Sequence, residues 1–397
     1  MDETTMKNII VVGGGYAGLH AIQSLRKHWG TKIGNRIRLI LLDKQPYHFR
    51  KVVMVKAPAR PVDLCVPFQS YRWNHVEFIQ GELRDVLSDQ QMIQYKTVED
   101  RLETLRYDQL VIAVGSIVKK PEGDVGGFVL EGEADVQGIQ EELKSVAMRA
   151  EQAAHLEEKE RLLHAVVVGG GITGIEIAAE LAACLRAKGL SLGLGKNRNV
   201  VSLIHAGDRL LPQAPRKITG QLERRLRKSG VSLIKNTRAL HYKEGAVKLY
   251  RGQIAASLCV WALGTSPNPL VQRIGLPVHE EGRLLVDASY RVQGHKNIYA
   301  IGDCAYVTDP KTNQVDGMNC KEAMMQAKRL GKVMKIDRAG GSAPTHRDSV
   351  THFFCIALGP HDGFLWTKRW GIDFAISGIL ARKVKEYAWK TASLVKR

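Results

Sequence analysis

Val11-Val12-Gly13-Gly14-Gly15-Tyr16-Ala17-Gly18-Leu19 occurs near the start of the chain and returns as Val167-Val168-Gly169-Gly170-Gly171-Ile172-Thr173-Gly174-Ile175. Each copy follows an apolar run and leads into helix-forming sequence, so each predicts a strand, a tight turn and a helix. In that setting the spacing is typical of dinucleotide binding, because the first two glycines let the backbone approach a pyrophosphate and the third lets the helix pack on the strand. Two copies predict two dinucleotides that exchange electrons. The alternative is a duplicated domain with one inactive copy.

The residues around the first copy extend this pattern. Strands are predicted at 8–12 and 36–42, with a helix at 16–28 between them. The second strand ends at Asp43, and an acid at this point of such folds grips the hydroxyls of a ribose. The alternative for Asp43 is a solvated turn aspartate.

Three further apolar strands end at small-residue turns. The strands at 107–116 and 258–265 would close the two dinucleotide-binding units, each with a loop where the backbone approaches the nucleotide. A third, at 297–305, ends at Gly302-Asp303, and a helical pattern follows from about residue 320. An aspartate there can accept a hydrogen bond from a ribityl hydroxyl, and the following helix N-terminus can face the electron-rich edge of a flavin. A polar helical stretch is predicted at 133–163.

Composition indicates a globular protein of two or three domains. The chain has 397 residues, of which 44% are hydrophobic and 25% charged, and these values argue against wholesale disorder. No apolar run approaches the roughly 20 residues that span a bilayer, and the N-terminus carries no signal-peptide pattern. We therefore expect a protein on the cytoplasmic side. The six cysteines have no metal-binding spacing, so we expect reduced thiols and no metal site.

The net charge of +18 arises from 58 basic and 40 acidic residues. A basic surface favours anionic lipid headgroups, nucleic acid or acidic partner proteins, and no nucleic-acid-binding motif is present. Apolar residues recur at helical spacing near the C-terminus, at Ile376, Ile379, Leu380, Val384, Tyr387, Ala388, Thr391, Leu394 and Val395. The polar remainder of that helix carries Arg382, Lys383, Lys385, Lys390 and Arg397. Such a helix suits an anionic membrane surface, and the alternative is a helix packed on its own domain.

With these signals in this order, the chain resembles the two-dinucleotide-binding-domain flavoproteins, the group that contains glutathione reductase. The resemblance covers roughly residues 1–335 and implies two sets of binding residues. Contacts to FAD are implied for Gly13, Gly15, Tyr16, Ala17, Gly18, Asp43, Lys44, Ala113, Gly115, Gly302, Asp303 and Lys321. Contacts to the nicotinamide dinucleotide are implied for Gly169, Gly171, Ile172, Thr173, Gly174, Glu176, His205 and Gly264.

The chain lacks the C-x4-C pair of the disulfide-reducing branch, because the stretch from Asp43 to Met54 contains no cysteine. A flavin would then pass electrons directly to a separate acceptor. The pattern Asp43…Tyr47-His48 and the stretch Gly171-Ile-Thr-Gly-Ile-Glu176-Ile-Ala-Ala-Glu180-Leu look like type II NADH:quinone oxidoreductases, the single-subunit respiratory NADH dehydrogenases. The tail, at 355–363 and 378–386, also looks like the end of that family.

That resemblance implies an α/β fold with two Rossmann-like dinucleotide-binding domains, the second inserted in the first, plus a C-terminal membrane-docking segment. The implied ranges are 1–125 and 266–335 for a discontinuous FAD-binding domain, 126–265 for an NAD(P)H-binding domain, and 336–397 for the membrane-associating region. It further implies FAD and NADH or NADPH as cofactors, a membrane quinone as acceptor and no proton pumping. A peripheral position on the cytoplasmic face of the cell membrane follows, and a homodimer is allowed.

On this interpretation the nicotinamide passes hydride to the flavin, and the acceptor takes two electrons and two protons from the other side. We expect Glu176 beside the nicotinamide as a proton station, with Glu180 in a lesser role. His48 and Lys321 are candidates for the flavin ring or the acceptor side.

Two positions depart from the family pattern. His205 stands where an acid selects NADH, which leaves NADH or NADPH open, with Arg209 as a candidate phosphate partner. Lys321 replaces the first glutamine of the family's A-Q-x-A-x-Q motif, which reads Cys320-Lys321-Glu322-Ala323-Met-Met-Gln326 here. Two alternatives to a quinone reductase stay open: a reductase of a soluble carrier such as ferredoxin, and a flavoprotein like apoptosis-inducing factor with a binding role.

Overall fold

The computed structural model describes residues 6–347 and 353–395. In this part of the chain the helices are α1 Tyr16–Trp29, α2 Lys51–Met54, α3 Glu133–Gln152, α4 Leu156–Leu162, α5 Ile172–Ser191, α6 Arg216–Lys228, α7 Cys320–Arg338 and α8 Ile379–Ala392. The strands are β1 Lys7–Val12, β2 Ile37–Asp43, β3 Tyr47–Phe49, β4 Cys65–Pro67, β5 Val76–Leu87, β6 Met92–Thr97, β7 Leu102–Arg106, β8 Gln109–Ile112, β9 Ser116–Val118, β10 Phe128–Val129, β11 Ala165–Val168, β12 Val201–Ile204, β13 Val231–Ile234, β14 Ala239–Lys243, β15 Ala246–Leu249, β16 Gln253–Ala255, β17 Leu258–Trp261, β18 Thr265–Pro267, β19 Leu284–Leu285, β20 Ile298–Ala300, β21 Ala305–Tyr306, β22 Phe353–Ala357, β23 Gly363–Arg369 and β24 Ile372–Ser377.

The first large sheet surrounds the first glycine turn. Its strand order is β20-β8-β1-β2-β5-β6-β7, and the first five of these strands run parallel. The buried residues of β1, β2 and β8 are mostly a continuous apolar run, because parallel strands are covered on both faces. The glycine turn between β1 and α1 lies at the carboxyl ends of the parallel strands, where open α/β sheets bind ligands.

The second sheet surrounds the second glycine turn. It consists of five parallel strands in the order β10-β17-β11-β12-β13. The chain leaves the first unit through β9 and returns through β18, and these two strands pair antiparallel, with Thr265 opposite Val118. The second Rossmann-like unit is thus inserted in the first, which confirms the predicted fold class.

The polar helical stretch predicted at 133–163 is broken in the structure. α3 ends at Gln152 and α4 begins at Leu156, with Ala153 in extended conformation. The apolar residues that bury α3 recur at three-and-four spacing and stop at Ala150. α4 has no buried residue, so no packing continues the first helix beyond that point.

The C-terminal region is an antiparallel sheet, β22-β23-β24, followed by α8. The prediction of one helix from Ile376 is wrong at both ends, because Ile376 lies in β24, and Leu394 and Val395 follow the end of α8. Gly378 makes the turn between them with φ +88°, and its N–H donates to the carbonyl of Gly363 at 3.0 Å. Arg397 lies outside the described residues.

One hydrophobic core joins this region to the second unit. Its members include Ile356, Phe364, Trp366 and Trp389 from the C-terminal region and Ile175, Ala179 and Ala182 from α5. α7 instead packs on α1 in the first unit and extends to Arg338, past the boundary predicted at 335. The C-terminal region is therefore fixed to the helix that follows the second glycine turn.

Candidate functional site

The two glycine turns have the same backbone geometry. Gly13 and Gly169 have φ values of +103° and +120°, which residues other than glycine rarely adopt. A Cβ on Gly18 would overlap the carbonyl oxygen of Gly13, and one on Gly174 would overlap that of Gly169. A Cβ on Gly15 or Gly171, the second glycine of each G-x-G-x-x-G pattern, would meet no atom within 4 Å. The first and third glycines thus shape each turn, and the second leaves room for a close approach.

The first turn borders a cavity of about 460 Å³. Of the residues implied for FAD, those that line it are Gly13, Gly15, Tyr16, Ala17, Asp43, Lys44, Ala113, Gly115 and Asp303. Further residues on the wall, which the sequence did not predict, include Gly14, Gln45, Tyr47, Lys51, Ser116, Glu131, Glu133, Asn268 and Cys320. The predicted residues outside the lining are Gly18, Gly302 and Lys321. A pyrophosphate fits this cavity because Gly13, Gly14 and Gly15 form part of its wall, and their backbone can approach the phosphates without obstruction by side chains.

Asp43 lies at the end of β2, against this glycine turn. Its Oδ2 accepts a hydrogen bond from the N–H of Gly14 at 2.5 Å, and its Oδ1 accepts one from the N–H of Gln45 at 2.8 Å. Burial raises the pKa of the carboxyl group, and the two backbone hydrogen bonds oppose that shift. The side chain is therefore fixed on the cavity wall and is not a freely solvated turn aspartate.

His48 lies behind the turn and is not among the residues lining the cavity. Its Nδ1 is 3.0 Å from the carbonyl oxygen of Gly14, and its ring meets that of Tyr16 edge-on with centroids 4.8 Å apart. Burial lowers the pKa of the imidazole to about 4, so the ring is neutral at physiological pH and donates from Nδ1 to the carbonyl. In this geometry His48 supports the turn.

Two charged side chains on the cavity wall, Asp303 and Lys51, both contact Ser116. The carboxylate of Asp303 accepts a hydrogen bond from Ser116 Oγ at 2.6 Å, and Lys51 Nζ donates to the carbonyl of Ser116 at 3.0 Å. Burial raises the pKa of Asp303 and lowers that of Lys51, while the attraction between the two charges opposes both shifts. Nothing in the sequence spacing places Lys51 here, because the short helix α2 that begins with it reaches the site through tertiary packing.

Gln326 holds the Gly-Asp turn in place. Its Oε1 accepts a hydrogen bond from the N–H of Gly302 at 2.7 Å, and its Nε2 donates to Asp316 at 2.8 Å. Gly302 has φ +76°, and a Cβ there would lie 2.9 Å from that of Ala17. Gln326 therefore positions Asp303 through the backbone of Gly302. It lies one residue beyond the six positions of the motif noted in the sequence, where Met325 stands at the place of the last glutamine.

The second turn borders a cavity of about 920 Å³. The predicted nicotinamide-dinucleotide residues on its wall are Gly169, Gly171, Ile172, Thr173, His205 and Gly264. Further lining residues that the sequence analysis did not name include Gly170, Ala206, Thr237, Arg238, Leu263 and Met318. Gly174 and Glu176 are not among the lining residues. Arg209 is also absent from the wall, and its guanidinium donates to the carbonyls of Ala214, at 3.1 Å, and Pro212.

Glu176 and Glu180, one helical turn apart on α5, form ion pairs with cations from other elements. Glu176 is 3% exposed; its Oε1 lies 2.9 Å from Lys385 Nζ and accepts a hydrogen bond from the N–H of Ala357 at 2.7 Å. Glu180 pairs with Arg60, and Arg382 lies 4.0 Å away. Burial raises the pKa of Glu180, and the neighbouring cations oppose the shift.

These contacts correct the prediction that Arg382 and Lys385 occupy the solvent-facing side of the C-terminal helix. Arg382 is 1% exposed, and Lys385 reaches inward to Glu176. Arg382 also lies 3.3 Å from Glu386, one turn further along α8. The spacing of charges along α8 could not show the inward contacts, because Glu176 and Glu180 are about 200 residues away in the sequence.

Lys321 lies in the first turn of α7, next to Cys320 on the wall of the first cavity. Its ammonium group is 6.0 Å from the ring centroid of Phe353 on β22. Lys321 therefore lies where the helix after the Gly-Asp turn meets the C-terminal sheet.

The outer side of the C-terminal region is apolar and exposed. Its members are Trp370, Ile372, Phe374, Ile376, Ile379, Leu380, Val384 and Tyr387, which we call the apolar face. Basic residues of the same region are Lys368 and Arg369 at the end of β23 and Lys383 and Lys390 on α8. No helix among the described residues is long and apolar enough to cross a bilayer.

Known proteins of several kinds are similar to this chain. The family model described as "Pyridine nucleotide-disulphide oxidoreductase" matches residues 7–327. A type II NADH:quinone oxidoreductase of Haemophilus influenzae is 29% identical over 335 residues, covering 76% of this chain and 74% of the relative. One from Staphylococcus aureus is 25% identical over 376 residues, covering 90% and 89%. The structure of NDH2 from Plasmodium falciparum in complex with RYL-552 superposes with a TM-score of 0.80 at 16% identity, covering 98% of this chain and 97% of that one.

Proposed function

Because the chain belongs to the pyridine nucleotide-disulphide oxidoreductase family, we propose that it is a type II NADH:quinone oxidoreductase. It would take two electrons from NADH through FAD to a membrane quinone, without pumping protons. The observation that carries the proposal is the pair of glycine turns with the same geometry, each beside its own cavity. The names of the H. influenzae and S. aureus relatives supply the acceptor.

In this proposal the first cavity holds FAD, which supplies a two-electron acceptor for hydride and a donor for the quinone. Asp43 would accept hydrogen bonds from the ribose hydroxyls of the adenosine, since its carboxylate lies on the wall at the end of β2. Asp303 would accept one from the ribityl chain. Lys51 would bring positive charge to the same end of the cavity, and the ammonium of a lysine stabilises negative charge nearby.

The second cavity holds the nicotinamide dinucleotide, with its phosphates against the N-terminus of α5. Glu176 lies behind that turn, paired with Lys385. We propose that this ion pair holds a proton for the acceptor at the junction of α5, β22 and α8. Lys321, at the first turn of α7, would act on the acceptor side.

The domain ranges of the sequence analysis are kept as part of the proposal. The FAD-binding domain would comprise 1–125 and 266–335 and the NAD(P)H-binding domain 126–265, with 336–397 associating with the membrane. The protein would sit peripherally on the cytoplasmic face of the cell membrane, attached by the apolar face and its basic neighbours, and two copies would be able to pair.

The direct test is anaerobic reduction of the purified, flavin-containing protein by NADH. We expect the yellow flavin absorbance to bleach and then to return when a quinone analogue is added. Failure to bleach would contradict the proposal. Bleaching followed by reoxidation with ferredoxin and not with quinone would replace the quinone by a soluble carrier.

Membrane attachment is tested by sedimentation with vesicles that contain anionic lipid. The triple variant Ile379→Ser/Leu380→Ser/Val384→Ser should lose most of the binding without loss of thermal stability, because these side chains are between 41% and 65% exposed. Tyr250→Ser, at a side chain of the second unit that is 81% exposed, is the control. Equal binding of the triple variant and the control would remove the apolar face from the proposal.

A further inference from the structure

The two units of the chain allow a direct internal comparison at one position. At the end of β2 stands Asp43, whose Oδ2 accepts the N–H of Gly14, the middle glycine of the first turn. At the end of β12 stands His205, and a Cβ on Gly170, the middle glycine of the second turn, would lie 2.6 Å from its Nδ1. His205 thus occupies, in the second unit, the place that the ribose-gripping acid occupies in the first.

An acid at this place does two things in dinucleotide-binding folds. It accepts hydrogen bonds from the ribose hydroxyls, and its charge repels a phosphate on the 2′ oxygen. The imidazole of His205 keeps a hydrogen-bonding atom and brings no negative charge. Its Nε2 is 3.0 Å from the carbonyl oxygen of Arg209, so that nitrogen donates, and Nδ1 faces the glycine turn.

Arg238 brings positive charge to the same end of the cavity. The N–H of Thr237 donates to the carbonyl of His205 at 3.2 Å, and that of Asn236 donates to the carbonyl of Gly207 at 3.0 Å. These bonds hold the two loops side by side, and the residue that follows Thr237 is Arg238, on the cavity wall. Its guanidinium is exposed, and the ion pairs found among the described residues do not include it.

The other charged groups nearby are already paired or lie elsewhere on the wall. Lys235 Nζ is 3.1 Å from Glu223, and Asp208 is 3.1 Å from Arg216. The carboxylate among the lining residues is that of Glu122, which precedes the start of β10. The loops after β12 and β13 therefore present an imidazole and a guanidinium to the cavity, and no carboxylate.

We propose that this end of the second cavity accepts a 2′-phosphate, so that the protein oxidises NADPH as well as NADH. His205 and Arg238 are the residues that set this specificity: the first by removing the repelling charge, the second by pairing with the phosphate. An arginine binds phosphate through two parallel hydrogen bonds. The inference rests on the proposed function, since it takes the second cavity as the nicotinamide-dinucleotide site.

The test is calorimetric titration of the flavin-containing full chain with 2′,5′-ADP and with 5′-ADP, which differ by the phosphate in question. We expect 2′,5′-ADP to bind the parent protein at least as tightly as 5′-ADP. Arg238→Gln should weaken 2′,5′-ADP by about tenfold, which is the usual worth of a hydrogen bond to a charged group, and leave 5′-ADP unchanged. Arg251→Gln, an exposed arginine in the turn between β15 and β16, is the matched control.

His205→Glu should reverse the preference, so that 5′-ADP binds and 2′,5′-ADP is rejected. The rates of anaerobic flavin bleaching should follow these affinities. NADPH should bleach the parent protein at least as fast as NADH, and NADH should be the faster reductant of His205→Glu. Binding of 5′-ADP but not of 2′,5′-ADP by the parent would overturn the inference and leave the proposed function intact. If neither compound binds, the second cavity does not hold a dinucleotide and the proposed function fails as well. An Arg238→Gln variant identical to the parent would overturn the role of Arg238.

Discussion

The side chain of Lys385 should stabilise the fold, because it neutralises the buried carboxylate of Glu176. Replacing it by methionine keeps the length of the aliphatic chain and leaves Glu176 buried without a cation. Breaking such a pair costs about 3 kcal/mol, so the free energy of unfolding in urea should fall by that amount. Lys383→Met, on the exposed side of the same helix, should change it by less than about 0.5 kcal/mol. Equal effects of the two changes would show that the pair contributes nothing.

The buried imidazole of His48 should make the stability of the protein depend on pH. Its imidazole titrates near 6.5 in an unfolded chain and near 4 in the folded protein, because burial lowers the pKa. Its contribution to stability is therefore complete above pH 6.5 and is lost as the pH falls toward 4. Each pKa unit corresponds to about 1.4 kcal/mol. Between pH 6.5 and pH 4 the free energy of unfolding should therefore fall by about 3 kcal/mol less in His48→Asn than in the parent protein.

Urea unfolding at a series of pH values measures the His48 effect. The control is His241→Asn, which changes an exposed imidazole in β14. If the His48 variant follows the pH curve of the parent, then the ring is not held neutral in the fold.

Residue types explain how far the site could be predicted. The glycines and Asp43 could be placed from sequence because local backbone geometry fixes them. Lys51, Arg238 and Lys385 could not, since tertiary packing of segments that are distant in the chain brings each of them to its place.

At the level of elements, the contact between α1 and α7 depends on a glycine. A Cβ on Gly331 would lie 2.6 Å from the carbonyl oxygen of Ser24, and Ser24 Oγ donates to the carbonyl of Lys328 at 2.8 Å. Gly331→Ala should force the helices apart and lower the free energy of unfolding by about 1–3 kcal/mol. Flavin should also be retained less well, because the first turn of α7 lines the first cavity.

Gly220 in α6 provides the matched control, because a Cβ there would meet no atom within 4 Å. Gly220→Ala should raise the free energy of unfolding by about 0.5–1 kcal/mol, since alanine restricts the unfolded chain and favours the helix. Opposite signs for the two glycines, measured by thermal or urea unfolding, would support the packing argument. The same sign for both would contradict it.

Regular elements with a complete apolar pattern were predictable, and irregular ones were not. The strand and the helix around Gly13 each differ from expectation by one residue at one end and agree at the other, because their buried apolar residues give a clear signal. The break at Ala153 and the strand at Ile376 depend on which neighbours the elements pack against. The period of the sequence carries no information about that packing.

For the molecule as a whole, the charge of +18 predicts a dependence on salt. Raising ionic strength from about 0.01 M to about 0.5 M shortens the Debye length from about 30 Å to a few Å. Binding to vesicles with anionic lipid should weaken several-fold over this range and should persist in part, because the apolar face does not depend on charge. Vesicles of neutral lipid are the control. Salt-independent binding to both kinds of vesicle would assign attachment to apolar contacts alone.

The pairing of β9 with β18 bears on how such a chain could have arisen. Neighbouring strands lie about 4.8 Å apart, so the two ends of the intervening segment, roughly residues 119–264, almost touch. A segment whose two ends lie close together can be inserted into a surface turn of another protein with little distortion of either structure. The recurrence of the glycine motif on both sides of that junction is what a copy of the host, inserted into the host itself, would leave behind.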